Sequence, residues 1–278
     1  MEPFRFIFMA DCQLGCYASF SGLSDDEVTA FAQRGMTVSS FPKVAGFDWD
    51  AANYRRAIAQ ANEIAPDFVV MGGDMVDDPF DEGQYEAVRE ITEDLRSRMF
   101  WVPGNHDAGD DTDHPTARSL AHYRERFGPD HYAFEHKGAS FIVVNTVVWS
   151  HAEMVPAEWE EQLAALEQSL AEARERGGPI IVFGHHPLFL RDPQEADDFF
   201  NVPRVRRDPL LDLLADHGVT AYFCGHWHRN GGGTHRGVEV VISGAVGFPL
   251  GDDPSGLRIV DVGPDGLSHT YVALDTDE

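Results

Sequence analysis

Five short segments of the sequence share one design: an apolar run, a glycine or sharp turn, then side chains with oxygen or nitrogen lone pairs. They are Asp11-Cys12-Gln13, Gly73-Asp74, Gly104-Asn105-His106-Asp107, Gly184-His185-His186 and Gly225-His226-Trp227-His228. Together they offer two carboxylates (Asp11, Asp74), two amides (Gln13, Asn105) and three imidazoles (His185, His226, His228). Seven donors exceed what one tetrahedral ion takes, and the lack of a thiolate cluster disfavours a structural zinc site. The set suits two divalent ions in five- or six-coordinate sites that share a carboxylate and a solvent oxygen. Each segment alone has an ordinary reading. Gly-Asp is a common turn, Asn105-His106-Asp107 could cap a helix, and a histidine pair is more often surface or core than ligand. The joint occurrence of five segments points to one metal centre.

Such a centre needs rigid elements to carry it. Residues 4–10, 68–71, 99–102, 180–183 and 220–224 read as short buried strands, each ending at a donor segment. Ligands of open α/β sheets gather where strands end and loops begin. Helical patterns cover residues 49–64, 82–98 and a stretch near 209–217. The clearest helix carries Trp159, Leu163, Leu166 and Leu170 at i, i+4, i+7 and i+11, with Gly177-Gly178 as its stop. Residues 132–148 read as two strands broken at Lys137-Gly138, and from Gly237 the pattern is strand, turn, strand. Alternating strands and helices with a β-rich tail predict an α/β fold of sheets packed between helices. No repeat or linker divides the chain, so one domain is expected over residues 1–278. Residues 17–48 read as a lid or an insertion.

The ordered blocks D-x-H/Q, GD, GNHD/E, GH and GHxH are those of the calcineurin-like metallophosphoesterases, and the sequence resembles that family over residues 11–228. Phe199-Phe200-Asn201, Gly225-His226-Trp227-His228-Arg229-Asn230, Gly232-Gly233-Thr234 and the tail Gly251 to Arg258 resemble one branch of it, described as serine/threonine protein phosphatases. The resemblance implies a four-layer α/β/β/α sandwich. It implies that Asp11, Gln13 and His228 hold one metal, that Asn105, His185 and His226 hold a second, and that Asp74 is shared. It implies a metal-dependent phosphoric ester hydrolase acting on phosphomonoesters, phosphoserine or phosphothreonine in proteins among them. A metal-bridging hydroxide would attack phosphorus while His106, oriented by Asp77, protonates the leaving alkoxide as general acid. Gln13 departs from the commoner histidine of its block. Its amide oxygen is a neutral, harder ligand, which favours manganese or iron(II) over tightly held zinc. Asn105, His186, Arg229 and Asn230 lie beside the ligands and could hold phosphate oxygens.

Composition bounds the partners. Lys plus Arg is 21 and Asp plus Glu 47, a formal net charge of −26. Such a chain repels nucleic acid backbones and anionic membranes, so a nuclease is disfavoured, and a phosphorylated small molecule or phosphoprotein is the expected substrate. The acidic loops 107–113 and 192–198, if they rim the site, would disfavour highly anionic substrates. Cys12, Cys16 and Cys224 match no disulfide or zinc framework, and no targeting segment is evident. A reducing cytoplasm is expected. Cys12 and Cys224, each within two residues of a donor, read as buried inert thiols. Two rival readings are a phosphodiesterase on cyclic nucleotides or other small diesters, and a noncatalytic binding module on the same fold. The second should have lost ligands or the acid, and none is missing here.

Overall fold

Period-two alternation along the first strand decides the layers. In the computed structural model, which describes residues 1–110 and 114–275, β1 (Phe4–Met9) sends Phe6 and Phe8 to one side and Ile7 and Met9 to the other. The chain continues through α1 (Cys16–Ser19), α2 (Asp25–Gln33), α3 (Asp48–Ile64), β2 (Phe68–Met71), α4 (Glu82–Glu93), β3 (Arg98–Trp101), α5 (Asn105–Ala108) and α6 (Ala117–Phe127). The second half runs β4 (Tyr132–His136), β5 (Ala139–Val143), α7 (Thr146–Ser150), α8 (Pro156–Arg176), β6 (Ile180–Phe183), α9 (Arg204–Asp216), β7 (Ala221–Cys224), β8 (Gly231–His235), β9 (Val238–Ile242), β10 (Gly256–Gly263) and β11 (Gly266–Ala273).

Two mixed sheets result, one ordered β11-β10-β1-β2-β3 and the other β4-β5-β6-β7-β9-β8. Phe6, Phe8, Phe68 and Phe100 from the first meet Phe141, Phe183 and Phe223 from the second in an aromatic layer between them. Phe8 stacks on Phe183 at 5.9 Å, and Phe6 meets Phe183 edge-on at 5.7 Å. Each buried ring contributes about 2–3 kcal/mol, so this layer holds the strand ends together independently of any ion. The outer face of the first sheet packs on α3 and α4 through Tyr54, Ile58, Val88 and Ile91. That of the second packs on α8 and α9 through Leu166, Leu170, Leu211 and Leu214. The four-layer α/β/β/α sandwich is therefore the fold. Among the described residues no helix is long and apolar enough to cross a membrane.

Four local readings change. Residues 144–148 look like strand because they are rich in valine. The Asn145 side chain instead accepts from Val147 N and Val148 N and turns the chain into α7. The helix placed near Pro209 begins at Arg204 and carries Pro209 inside it. The glycine run from Gly231 pairs antiparallel with β9. Residues 17–48 contain α1 and α2, and the latter opens on a reciprocal Ser24/Glu27 capping box. This segment is firmly seated: Met36 and Val38 are buried in the second sheet's outer core, and Tyr17 stacks on Phe41 and Trp49 at 4.6 Å each.

Asn145 also ties α7 to a buried carboxylate. Asp130 accepts from Asn145 Nδ2 at 3.0 Å and from Arg124 Nε and Nη2 at 2.9 and 3.0 Å. Burial works against the charged form, but hydrogen bonds from His131, Arg124 and Asn145 win and hold the carboxyl well below its usual range. A depressed folded-state pKa gives stability that is complete above the unfolded value near 3.9 and fades as pH falls from there through the folded value. Asp130→Asn is expected to cost about 2 kcal/mol at neutral pH and to flatten the loss of Tm below about pH 4. Thermal melts of both proteins from neutral pH to pH 3 test this; parallel curves would rule the carboxylate out as the source.

Candidate active site

Five strand ends deliver the donors. β1 leads to Asp11 and Gln13, β2 to Asp74, β3 to Asn105 and His106, β6 to His185, and β7 to His226 and His228. The backbone turns sharply at each carboxylate and at the last histidines. Of the eight non-glycine residues with positive φ among the described residues, five are Asp11, Gln13, Asp74, His226 and His228. Such backbone costs about 1–2 kcal/mol per residue, and cores tolerate it where it aims a functional side chain. Glycines make room for the result: a Cβ on Gly104 would overlap the Asp74 carboxylate, and one on Gly225 that of Asp11.

The donors close into two groups. Asp74, His185 and His226 form one and Asp11, Asp74 and His228 the other, with ligand atoms within 4.8 Å of one another and all five residues buried. Asp74 belongs to both. His185 Nε2 lies 3.1 Å from Asp74 Oδ2 and 3.1 Å from Asn105 Oδ1, while its Nδ1 is 2.9 Å from Gly72 O. The carbonyl fixes the proton on Nδ1 and frees Nε2 for the site. His228 is set the same way, with Nδ1 2.6 Å from Phe248 O and Nε2 3.4 Å from Asp11 Oδ1. Gln13, expected beside Asp11 and His228, gives its Nε2 to Asp77 Oδ1 at 2.9 Å, and its buried Oε1 has no hydrogen-bond partner.

That orphaned oxygen, beside two buried carboxylates and three imidazoles, is what a pair of divalent cations would satisfy. The buried groups also perturb one another strongly. Burial pushes the Asp11 carboxyl up. Burial opposes the Asp74 charge too, but His185 and His106 hold that carboxyl well below the usual range. Burial also acts against the His185 cation, yet Asp74 raises it to about 9, whereas burial and His185 drive His226 down to about 3.

Two supporting residues were not singled out from sequence. Asp107 is fully buried and accepts from Asp74 N at 2.7 Å, Met75 N at 2.8 Å, Val76 N at 3.3 Å and Gly104 N at 2.9 Å. It staples the Asp74 turn to the Asn105 turn, which is the task of the acid that ends the Gly-Asn-His-Asp block. Thr146 Oγ1 accepts from His185 N at 3.1 Å and His186 N at 2.9 Å and lies 2.9 Å from His186 Nδ1. With both lone pairs taken, its proton goes to Nδ1, so His186 is neutral with its proton on Nε2. Burial and the rings of His226 and His185 hold it neutral. His186 thus stands behind the ligands, its ring 4.3 Å from that of His226.

His106 stands at the opening. Its backbone N donates to Asp74 Oδ1 at 2.9 Å, and its ring is 22% exposed. Nδ1 is 2.8 Å from the carbonyl oxygen of Asp77 and 3.7 Å from Asp77 Oδ1. Asp77 therefore orients the ring chiefly through its backbone; its carboxylate takes hydrogen bonds from Gln13 and from Ser19 Oγ at 2.6 Å. The free edge of the imidazole faces a cavity of about 380 Å³, shared with Gln13, Asn105, His226 and His228.

Two expected phosphate contacts are placed elsewhere. Arg229 gives Nε to Leu250 O at 2.6 Å and Nη2 to Thr37 Oγ1 at 3.2 Å, and does not line the cavity. Asn230 Oδ1 accepts from Arg258 and from Gly244 N, and its backbone N donates to Asp253. Both are structural ties. The backbone immediately before them is left-handed, at His228. The cation that does line the cavity is Arg34, with Phe20, Phe31, Met36, Phe199 and Leu250 as apolar wall.

No residue of the acidic loop 192–198 lines the cavity, and its carboxylates bind nearby backbone. Glu195 caps Leu190 N, Arg191 N and Asp192 N, Asp192 caps Gln194 N, Asp197 caps Arg204 N and Asp198 caps Phe200 N. Of the loop 107–113, Asp107 is the staple above, and residues 111–113 lie outside the described residues. The three cysteines are free and buried, and burial pushes each thiol well up, which disfavours the reactive thiolate.

Comparison with known proteins places this geometry. The sequence profile described as calcineurin-like phosphoesterase matches residues 4–230. The chain is 33% identical to the serine/threonine-protein phosphatase CPPED1 of Danio rerio, over 98% of this chain and 85% of that protein. Among solved structures, a dimetal phosphatase from Danio rerio superposes with a TM-score of 0.63 at 17% identity, covering 99% of this chain and all of that one. GAP50, described as the anchor in the inner membrane complex of Plasmodium, superposes at 0.60 with 15% identity, over 99% of this chain and 86% of that one. At such identities the likeness is one of fold.

Proposed function

The chain belongs to the calcineurin-like phosphoesterase family, and from that premise we propose that this metal-dependent phosphatase hydrolyses phosphomonoesters of aliphatic alcohols, phosphoserine and phosphothreonine in proteins above all. The observation that carries this reading is His106. Its free ring edge opens into the cavity that the metal donors line. Serine and threonine leave as strongly basic alkoxides, so their esters need a proton donor at the leaving oxygen far more than activated esters do. The relatives named as serine/threonine phosphatases support the same substrate class.

When bound, the two divalent cations supply Lewis-acid charge to the phosphate oxygens and make a water acidic enough to attack near neutral pH. Asp11, Gln13 and His228 would hold one and Asn105, His185 and His226 the other, with Asp74 shared. The amide oxygens favour manganese or iron over tightly bound zinc. The chain's own residues do the rest. Asp107 and Thr146 fix the turns that carry the ligands. The Asp77 carbonyl holds the His106 ring, whose Nε2 gives its proton to the departing oxygen. A reducing compartment, the cytoplasm, is the proposed location, consistent with three free buried thiols.

The test is phosphate release after chelation and stepwise return of Mn²⁺, with a phosphoserine peptide, p-nitrophenyl phosphate and its bis-ester assayed side by side. Activity should return at about two metals per chain and favour both monoesters over the diester. A preference for the diester would replace this reading with a phosphodiesterase.

A further inference from the structure

The mouth of the cavity holds a feature that the metal chemistry leaves unused. In a chain of net charge −26, Arg34 is the one cationic side chain lining this cavity among the described residues. Its guanidinium lies 5.1 Å from the centre of the Phe199 ring, and no carboxylate or other hydrogen-bond acceptor partners it among the described residues. The Phe199 ring is in turn 5.5 Å from that of the metal donor His226. Arg34 thus stands one aromatic ring away from the ligands.

Both partners are held in place. Arg34 follows α2, with its backbone N bonded to Ala30 O at 3.3 Å and Phe31 O at 3.0 Å. The next turn is pinned by Met36 N to Phe31 O at 3.0 Å and Thr37 N to Leu250 O at 3.0 Å, and Met36 is buried. Phe199 is 48% exposed, yet its loop is stapled by Glu195, Asp198 and Asn201. The one carboxylate among the lining residues, that of Asp77, is bonded to Gln13 and Ser19. An exposed guanidinium on an aromatic ring, held beside a metal centre and lacking an anion, is built to receive one from outside.

We propose that Arg34 is a specificity residue that binds a second anionic group of the substrate, about one ring's breadth from the phosphate the metals take. This rests on the phosphatase reading and sharpens it. The preferred substrate is a phosphomonoester whose organic part carries a carboxylate or a second phosphate. On a phosphopeptide that group is an Asp or Glu next to the phosphorylated residue; on a small molecule it is an acid group across a ring or short chain. The segment 17–48 acts through this residue as a selective wall of the site.

The test compares wild type, Arg34→Ala and Arg34→Lys on two matched pairs. One pair is para-carboxyphenyl and para-carbamoylphenyl phosphate; the other is a phosphoserine peptide with Glu or Gln beside the phosphoserine. Wild type should prefer the charged member of at least one pair, and which pair it is separates small-molecule from peptide substrates. Arg34→Ala should cut that preference about tenfold in kcat/KM, the size of one charge-assisted hydrogen bond at a partly exposed site, and Arg34→Lys should restore part of it. Calorimetric binding of the corresponding aryl phosphonates, carboxylate against carboxamide, reads the same preference without turnover. An Arg34-dependent preference in binding with no hydrolysis of any ester would keep the inference and sink the phosphatase reading. Hydrolysis with a preference unchanged in Arg34→Ala would do the reverse. An equal loss on both members of each pair, or a lowered Tm alone, would show that Arg34 only caps α2 or braces the wall, and would overturn the proposal.

Discussion

His106→Ala is expected to retain both metals and to lose roughly two to four orders of magnitude in kcat on a phosphoserine peptide, the usual worth of a positioned general acid. On p-nitrophenyl phosphate the loss should be far smaller, because p-nitrophenolate leaves without a proton. The contrast between the two esters is the diagnostic result, since a mere disturbance of the site would lower both rates together. The structure allows the experiment to be clean. The ring of His106 is fixed by the Asp77 carbonyl, while its contact with Asp74 is made by its backbone N, which alanine keeps. Elemental analysis should therefore still find about two metals per chain. Equal rate losses on both esters, or metal lost with the ring, would remove His106 from the role of acid.

The sandwich and the strand ends that bring the candidate donors together were legible in the sequence because both are local. A buried strand of four to six residues and the turn that follows it are read within one window, and here each such turn carries its own ligands. What could not be read depends on residues brought together from afar. Asp107 stands in plain view in its block, but its work is to bind the backbone of a turn 33 residues earlier. Thr146 hides in a run of valines, and only the Asn145 cap that bends the run into a helix reveals it. The Ser24/Glu27 box was a readable signal for α2, and an acidic, irregular stretch masked it.

The arginines show the same divide. Arg229 adjoins a ligand in sequence and therefore looked like a phosphate contact. Its guanidinium instead binds Leu250 O and Thr37 Oγ1. Arg34 lies far from any donor segment in sequence and still reaches the cavity, because α2 packs Val28 and Phe31 against the second sheet's outer core. Adjacency in sequence to a donor does not by itself place a side chain in the cavity. The acidic loop 192–198 makes the complementary point: its carboxylates bind nearby backbone and do not line the cavity, whereas Phe199 and Arg34 do.

Asp74→Asn should abolish two-metal binding and lower kcat/KM at least a thousandfold, a loss that combines both cations' charge stabilisation. Asp74 is the one residue common to both donor groups, and its two oxygens face different neighbours: Oδ1 takes His106 N, and Oδ2 lies 3.1 Å from His185 Nε2. An amide keeps one oxygen, loses the charge and turns an N–H toward a cation or toward His185. Two dications bring four positive charges against two carboxylates, and removing one of those carboxylates leaves the pair mutually repelling in a buried site. Asp11→Asn, which touches one group only, should by contrast lose one ion and keep the other. Elemental analysis of the three proteins, after a melt shows that each is folded, decides the matter. The turn itself should survive the substitution, because Asp107 holds the backbone N of residue 74 whatever side chain follows. Two metals retained by Asp74→Asn would show that this carboxylate does not bridge the ions, and would overturn its shared role.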